Sequence, residues 1–426
     1  MRILISAYSC CPHSGSEPGI GWGVVREVAA RHSVCVLTSA ANRRRIEQEL
    51  AAGGMPGARF VFVALPFGLQ HLVSAQCYGY LHYFLWQLRA FHAARRLHRE
   101  QAFDLVHHVT YGNSWAPSFM GWLGIPFVWS AGGKEVTPWR FLGILSWRSR
   151  ILEGVRNLAV KVFGAVTHYC TASRASMILS SSDPSLWGGT LLVRQFLLGG
   201  LDPGEMARLQ RLPEPNGEPC RLASIGRLEG WKGFSLALAA FAAMHKESPD
   251  SEYWIIGDGP ERQRLERQAT QLGCRSKVRF VGWVPRANLL EMLSEVDVLV
   301  HPSLHEQFGY VALEAMAAGR LVICLASGGC GRLVSDAGGI IIPMLTPDQV
   351  VSNLSSILLE LARDPAKRLQ KGRHARRWVA EQWHWGRVGE GLETVYREVR
   401  QRVHRGVRAP EASSSGDGNL SRRVGT

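Results

Sequence analysis

Apolar residues along this chain fall in short blocks bounded by glycine, proline or charge, and the blocks switch regularly between a strand period and a helix period. The pattern predicts a strand over Arg2–Ala7, a glycine-rich loop holding Gly15, Gly19, Gly21 and Gly23, a helix over Gly21–Arg31 and a second strand over Ser33–Thr38. That is a βαβ opening. Further strand-like runs at Arg59–Ala64, Leu105–Val109 and Pro126–Ser130 are separated by helical stretches, so a parallel sheet covered on both faces is expected. A second series starts at Cys220. Strands over Arg221–Ile225, Glu252–Ile256, Val278–Val281, Val298–His301 and Leu321–Leu325 alternate with helices over Ser235–Glu247, Pro260–Leu272, Ala287–Ser294 and Tyr310–Ala318.

Two doubly wound α/β domains follow, residues 1–200 and 201–384, with the Pro/Gly-rich stretch Leu212–Cys220 at the entry to the second. A charged helix, Val388–Arg405, reads as a surface element, and the polar Gly/Ser-rich tail 409–426 reads as disordered. No apolar run reaches the roughly 18 residues that a membrane span requires. Gln76, His82 and Gln87 interrupt the most apolar stretch, Leu72–Leu88, and the start MRILISAYSCCPHSG carries too short an apolar run for a secretory leader. A cytoplasmic protein is expected.

A composition of 46% hydrophobic and 20% charged residues excludes wholesale disorder and fibrous architectures. Nine cysteines without a CxxC suggest neither a disulfide framework nor a zinc ribbon. The net charge of +14 is uneven: residues 1–200 carry 19 Lys and Arg against 9 Asp and Glu, which suits anionic partners such as phospholipid headgroups, lipid pyrophosphates or nucleic acid.

Chemistry concentrates in HPSLHEQFGYVALEAMAAG (301–319), which holds Glu306 and Glu314. Were the eight steps between them helical, the carboxylates would stand about 12 Å apart along the axis on different faces, so Glu306 is expected in the loop and Glu314 inside the helix. Gly309 precedes that helix and Gly319 is placed to cap it. Such a loop aims the amides of Phe308, Gly309 and Tyr310 forward, where helix N-termini bind phosphate, while carboxylates accept hydrogen bonds from sugar hydroxyls. A phosphate flanked by polyols outlines a nucleotide sugar. The plainer alternative is an ordinary turn followed by a solvated Glu. Upstream, GRLEGWKG places Arg227 and Lys232 just after a strand, in the crevice where doubly wound folds bind ligands, without the spacing of a Walker A loop.

EQFGYVALE resembles the E-x7-E signature of the retaining glycosyltransferases of family 4, which share the GT-B fold of two Rossmann-like domains facing a cleft. IGRLEGWKG, IIGDGPERQRLE and VRFVGWVPRANL are similar to further motifs of that family in the same order. The likeness implies a metal-independent hexosyltransferase acting on a nucleotide-sugar co-substrate, with no cofactor, and a glycan or polyprenyl-linked acceptor, as in envelope or exopolysaccharide synthesis. Nucleic acid then drops out as a partner. The resemblance places Arg227 and Lys232 on the donor diphosphate, Glu314 on the ribose and Glu306 at the transferred sugar or phosphate. Phe308 and Gly309 donate amides, and the loop holding Val284 contacts the base. In the first domain it sets GSEPGIGWG, with Gly15 and Gly19, against the donor phosphates or acceptor, and it lays residues 385–408 back on the first domain as a crossing helix.

Two departures stand out. Relatives place a sugar-contacting His five residues after an Asp, and counted from Asp104 that position is Val109. His107 and His108 come just before it, and in an extended segment only one can face the cleft, His108 being the favoured candidate. Relatives also carry GG-x-x-E where SGGCGR has Arg332. A dinucleotide site is disfavoured, because SAANRRR (39–45) replaces the acidic residue that should end strand two. WSAGG (129–133) is expected to form another cleft loop, with Lys134 beside it. Two stretches, Tyr78–Glu100 and Arg140–Arg150, mix aromatic and basic residues and read either as a dock on an anionic bilayer, on the inner face of the plasma membrane, or as buried helices with a basic outer face. The rivals to a transferase are a catalytically silent GT-B binding protein and a nucleotide-sugar epimerase or sugar phosphorylase of the same fold.

Overall fold

Each half of the chain builds one wholly parallel sheet, and each sheet is wound in both directions from its middle. The computed structural model describes residues 1–65, 76–133, 136–188, 191–215 and 217–405, so Lys134 and the tail 409–426 lie outside the described residues. In the first half the strands are β1 (Arg2–Ser6), β2 (Ser33–Ser39), β3 (Ala58–Val63), β4 (Leu105–His108), β5 (Phe127–Ala131), β6 (Met177–Ser180) and β7 (Val193–Gln195), in the order β3-β2-β1-β4-β5-β6-β7. The second sheet holds β8 (Arg221–Ile225), β9 (Glu252–Ile256), β10 (Val278–Gly282), β11 (Val298–His301), β12 (Leu321–Leu325) and β13 (Ile340–Ile342), in the order β10-β9-β8-β11-β12-β13. The winding reverses between β1 and β4 and again between β8 and β11. At such a switch point the connections leave in opposite directions and open a crevice beyond the strand ends.

Hydrogen-bonded register holds the strands together across each switch point. Ser6 pairs with His108 across β1 and β4, and Val298 pairs with Leu222 across β11 and β8. Each sheet is buried on both sides, which is why its strands are continuous apolar runs rather than alternating ones.

Two sequence expectations are corrected. The first helix runs from Ser16 to Ala29, so Gly19, Gly21 and Gly23 lie inside it rather than in a loop. Close packing is the reason: a Cβ on Gly21 would stand 2.2 Å from the Ser9 carbonyl oxygen, and one on Gly23 would meet the Trp385 ring at 2.2 Å. The final helix, Trp385–His404, is no bare surface element. Trp385, Val388, Leu392, Val395, Tyr396 and Val399 form a stripe buried in the first domain's core, and only the opposite face carries ion pairs such as Glu393 with Arg397. At roughly 1.5–3 kcal/mol for each large buried side chain, this stripe binds the end of the chain firmly to its beginning. Among the described residues no helix is long and apolar enough to cross a membrane.

Candidate functional site

Between the two switch points lies a cleft of about 390 Å³ to which both sheets contribute. On the second-domain side the turn after β8 ends at Gly233, whose φ of +68° suits glycine and whose Cβ would collide with the Pro302 carbonyl oxygen at 2.1 Å. That tight packing sets Lys232 beside the segment that follows β11. Lys232 Nζ stands 2.5 Å from Glu306 Oε2, and the same oxygen is 3.2 Å from His301 Nε2. Burial opposes the charge on Glu306, yet Lys232 and His301 outweigh it and hold the carboxyl well below the usual carboxylate range. The cleft therefore presents a compensated anion and a cation that a second anion can claim.

Gly309, at φ +84°, turns the chain into the helix Tyr310–Ala317, whose first turn lines the cleft. Glu306 lies in the loop before it and Glu314 within it. The Glu314 side chain is buried and ion-paired with Arg286, which also donates to Glu205 through Nε at 3.1 Å. Burial, helped by Glu205, pushes the Glu314 carboxyl up to about 7 against the pull of Arg286.

The other expected residues divide. Phe308 and Gly309 border the cleft, and the Phe308 ring packs between Tyr310 and Trp383, with centroids 4.8 and 5.5 Å away. Arg227 does not join Lys232 in the cleft: its side chain is 70% exposed and pairs with Glu229 at 2.6 Å. Val284 packs half-buried on the second domain's core instead of lining the cavity. Gly15 abuts Arg286, a Cβ there falling 2.3 Å from Nη1. Gly19 lines an adjoining 790 Å³ cavity with Arg286, Glu205 and Tyr310. Arg332 turns out on its helix to Asp336.

His107 and His108 are the clearest correction. Both are fully buried in β4 and neither lines the cleft. His107 is held between Tyr396 Oη (2.6 Å) and Ser130 Oγ (2.7 Å), and His108 between Tyr83 Oη (3.0 Å) and Ser118 Oγ (2.8 Å). With both ring nitrogens of each engaged in the core, neither can reach a sugar. Val109, the position the family pattern itself indicates, borders the cleft in their place.

The structure adds residues that sequence reasoning passed over. Glu17 borders the cleft and accepts the Tyr111 N–H at 2.5 Å, and its enclosed carboxyl is raised above its ordinary value by burial. Trp231 stacks on His305 with centroids 4.6 Å apart, and His305 contacts Glu153 of the first domain at 3.1 Å. Glu17 stood inside a quoted glycine-rich segment and His305 next to Glu306. Glu153 had no local signal, because a helix from the other domain delivers it.

Residues 208–378 match the family of glycosyl transferases group 1. The chain is 30% identical over 184 residues to a 2-deoxystreptamine glucosyltransferase of Streptomyces kanamyceticus, covering 42% of this chain and 46% of that one. The chain spans about half the length of the curated relatives it matches. Among solved structures, a sucrose-phosphate synthase of Thermosynechococcus elongatus superposes with a TM-score of 0.60 at 18% identity, covering 93% of this chain and 98% of that one. The Anabaena protein HepE in complex with UDP superposes with a TM-score of 0.58 at 18% identity, covering 93% and 100%. Over residues 208–378 the chain is thus similar to the group 1 glycosyltransferases, and its two facing sheets are those of the GT-B fold.

Proposed function

We propose that this protein transfers a sugar, with retention at the anomeric carbon, from a nucleoside diphosphate sugar to a glycan or lipid-linked acceptor in envelope or exopolysaccharide synthesis. The observation that carries the reading is the Lys232–Glu306–His301 cluster beside the first turn of the Tyr310–Ala317 helix. As the bond from the anomeric carbon to the diphosphate oxygen breaks, charge grows on that oxygen, and Lys232 with the helix amides stabilises it in a cleft partly shielded from water. The acceptor hydroxyl attacks on the face the diphosphate leaves and gives its proton to the departing phosphate. In this reading protein cations rather than a metal meet the diphosphate charge, no cofactor takes part, and Arg227 swings from Glu229 to the phosphates. Glu314 takes the ribose hydroxyls. The UDP complex of HepE supports a nucleotide donor.

A second reading, a GT-B protein that binds the donor without turnover, is favoured by one observation: Val109 stands where relatives place a histidine. Thermal shifts against UDP, GDP, ADP and their sugar conjugates test the donor site, because a ligand of the folded state adds RT ln(1 + [L]/Kd). A rise with one nucleotide that disappears in Lys232→Ala is the expected result. No rise with any nucleotide overturns both readings, while a rise without sugar release leaves the second.

A further inference from the structure

The helix Trp147–Cys170 is built inside out for a globular protein. It turns Ser149, Glu153 and Thr167 into the molecule, and on the opposite side it leaves Trp147, Ile151, Val155, Leu158, Val162 and Val166 between 49% and 67% exposed. The spacing of four, four, three, four and four keeps these side chains on one face over some 29 Å of helix. A packed helix shows the reverse arrangement. Around the stripe Arg148, Arg150 and Lys161 are exposed, whereas the helix's single acid, Glu153, is buried against His305. Aromatic side chains with polar tips close both ends: Trp139 and Trp147 at one, Tyr169 at the other, where Arg174 lies 3.8 Å over the Trp122 ring. Beside Cys170 a groove of about 660 Å³ is lined by Phe91, His92, Arg95, Arg99 and Trp122, so the basic surface continues onto the Gln76–Gln101 helix.

We propose that this face lies in the interfacial layer of an anionic phospholipid bilayer, with the apolar stripe at the acyl boundary and Arg148, Arg150 and Lys161 at the headgroup phosphates. The geometry is that of an interfacial helix, and each cation near an anionic surface adds to the attraction. A second copy on the same face would set these cations against themselves across a two-fold axis without an acid to meet them. Of the two expected stretches, Arg140–Arg150 runs into this helix. The Gln76–Gln101 helix buries Tyr83, Trp86, Ala90, Ala94 and Leu97, and the lipid-facing element is the one that follows Arg140. Because Arg156 on its inner side lines the cleft, a lipid-borne acceptor would arrive at the site from the membrane. That consequence rests on the proposed transfer, whereas the docking does not.

The test is co-sedimentation of the full chain with vesicles of phosphatidylcholine alone or with about a third phosphatidylglycerol. Binding at least tenfold stronger to the anionic vesicles is expected, falling at least tenfold in Val155→Glu/Val162→Glu with an unchanged thermal melt. Should that variant misfold, Arg148→Gln/Lys161→Gln must lose the preference for anionic lipid. Equal binding by wild type and variant, or no binding to anionic vesicles, overturns the proposal. So does a dimer in sedimentation equilibrium that the variant dissociates while vesicles capture nothing. Nucleotide shifts read separately, so loss of one proposal leaves the other standing.

Discussion

Arg286 lies against the buried carboxylate of Glu314, so the group expected to hold a ribose is already engaged by a cation from the first turn of the helix that follows β10. A ribose must displace that guanidinium, which Glu205 can keep. The pair also makes stability depend on pH. The folded-state pKa of Glu314, about 7, exceeds the unfolded value near 4.3, so the folded chain holds the proton more tightly. Stability therefore falls as pH rises from about 4.5 to about 7 and is level above; the full loss is about 4 kcal/mol. The stability of wild type minus that of Glu314→Gln, from urea midpoints, should fall by that order between pH 5 and 8, and a flat difference refutes the assignment.

Lys232 and Glu306 are each largely buried, so removing one strands the other. Lys232→Ala is expected to lower turnover at least tenfold, about 1.4 kcal/mol of barrier, and to cost about 3 kcal/mol of stability. Adding Glu306→Gln should return most of the stability and none of the turnover. Such a cycle separates the charge that stabilises the leaving group from the charge that stabilises the fold. Wild-type turnover in Lys232→Ala would remove Lys232 from the chemistry.

Glu153 and His305 join the domains across the cleft, and His305 continues through the Trp231 ring to Lys232, whose Nζ lies 4.3 Å from that ring's centroid. Burial lowers the His305 pKa although Glu153 opposes it, so the contact persists at neutral pH with an uncharged ring. Glu153 acts here as a positioning residue. Glu153→Gln should raise the donor KM about threefold to tenfold with kcat little changed. An equal fall in kcat at constant KM would place Glu153 in the transition state instead.

The alternating blocks made the two parallel sheets legible, since buried parallel strands are continuous apolar runs that glycine and proline punctuate cleanly. Short edge strands such as β7 and β13, three residues each, carry too little pattern to be seen. In the site, the positions of Glu306 and Glu314 relative to their helix followed from helix geometry alone. Glycines misled where they serve packing: Gly21 and Gly23 resemble loop residues in sequence, yet they let a helix approach Ser9 and Trp385. Side-chain direction was the harder quantity. Strand alternation allowed at most one of two adjacent histidines to face the cleft and left open that neither does, and both faces of β4 are interior at that point, one under the final helix and one under Tyr83.

Those histidines give the sharpest test of core against cleft. Burial holds His107 neutral down to about 3, with His108 opposing its charge as well, and holds His108 neutral down to about 4, against an unfolded value near 6.5. The unfolded chain then binds more protons below pH 6.5, so the sign is opposite to that of Glu314: stability rises with pH up to about 6.5 and is lost on acidification, by about 3 kcal/mol per ring at pH 4.5. His107→Gln/His108→Gln should melt lower at pH 7.5, because Ser130, Tyr396, Tyr83 and Ser118 lose well-placed partners. It should also lose less stability than wild type between pH 6.5 and 4.5. Turnover per folded molecule should stay within about threefold of wild type, since neither ring touches the cleft. A turnover loss beyond tenfold with an unshifted melt would put a histidine back at the sugar, and it would require β4 to turn a ring outward when donor binds.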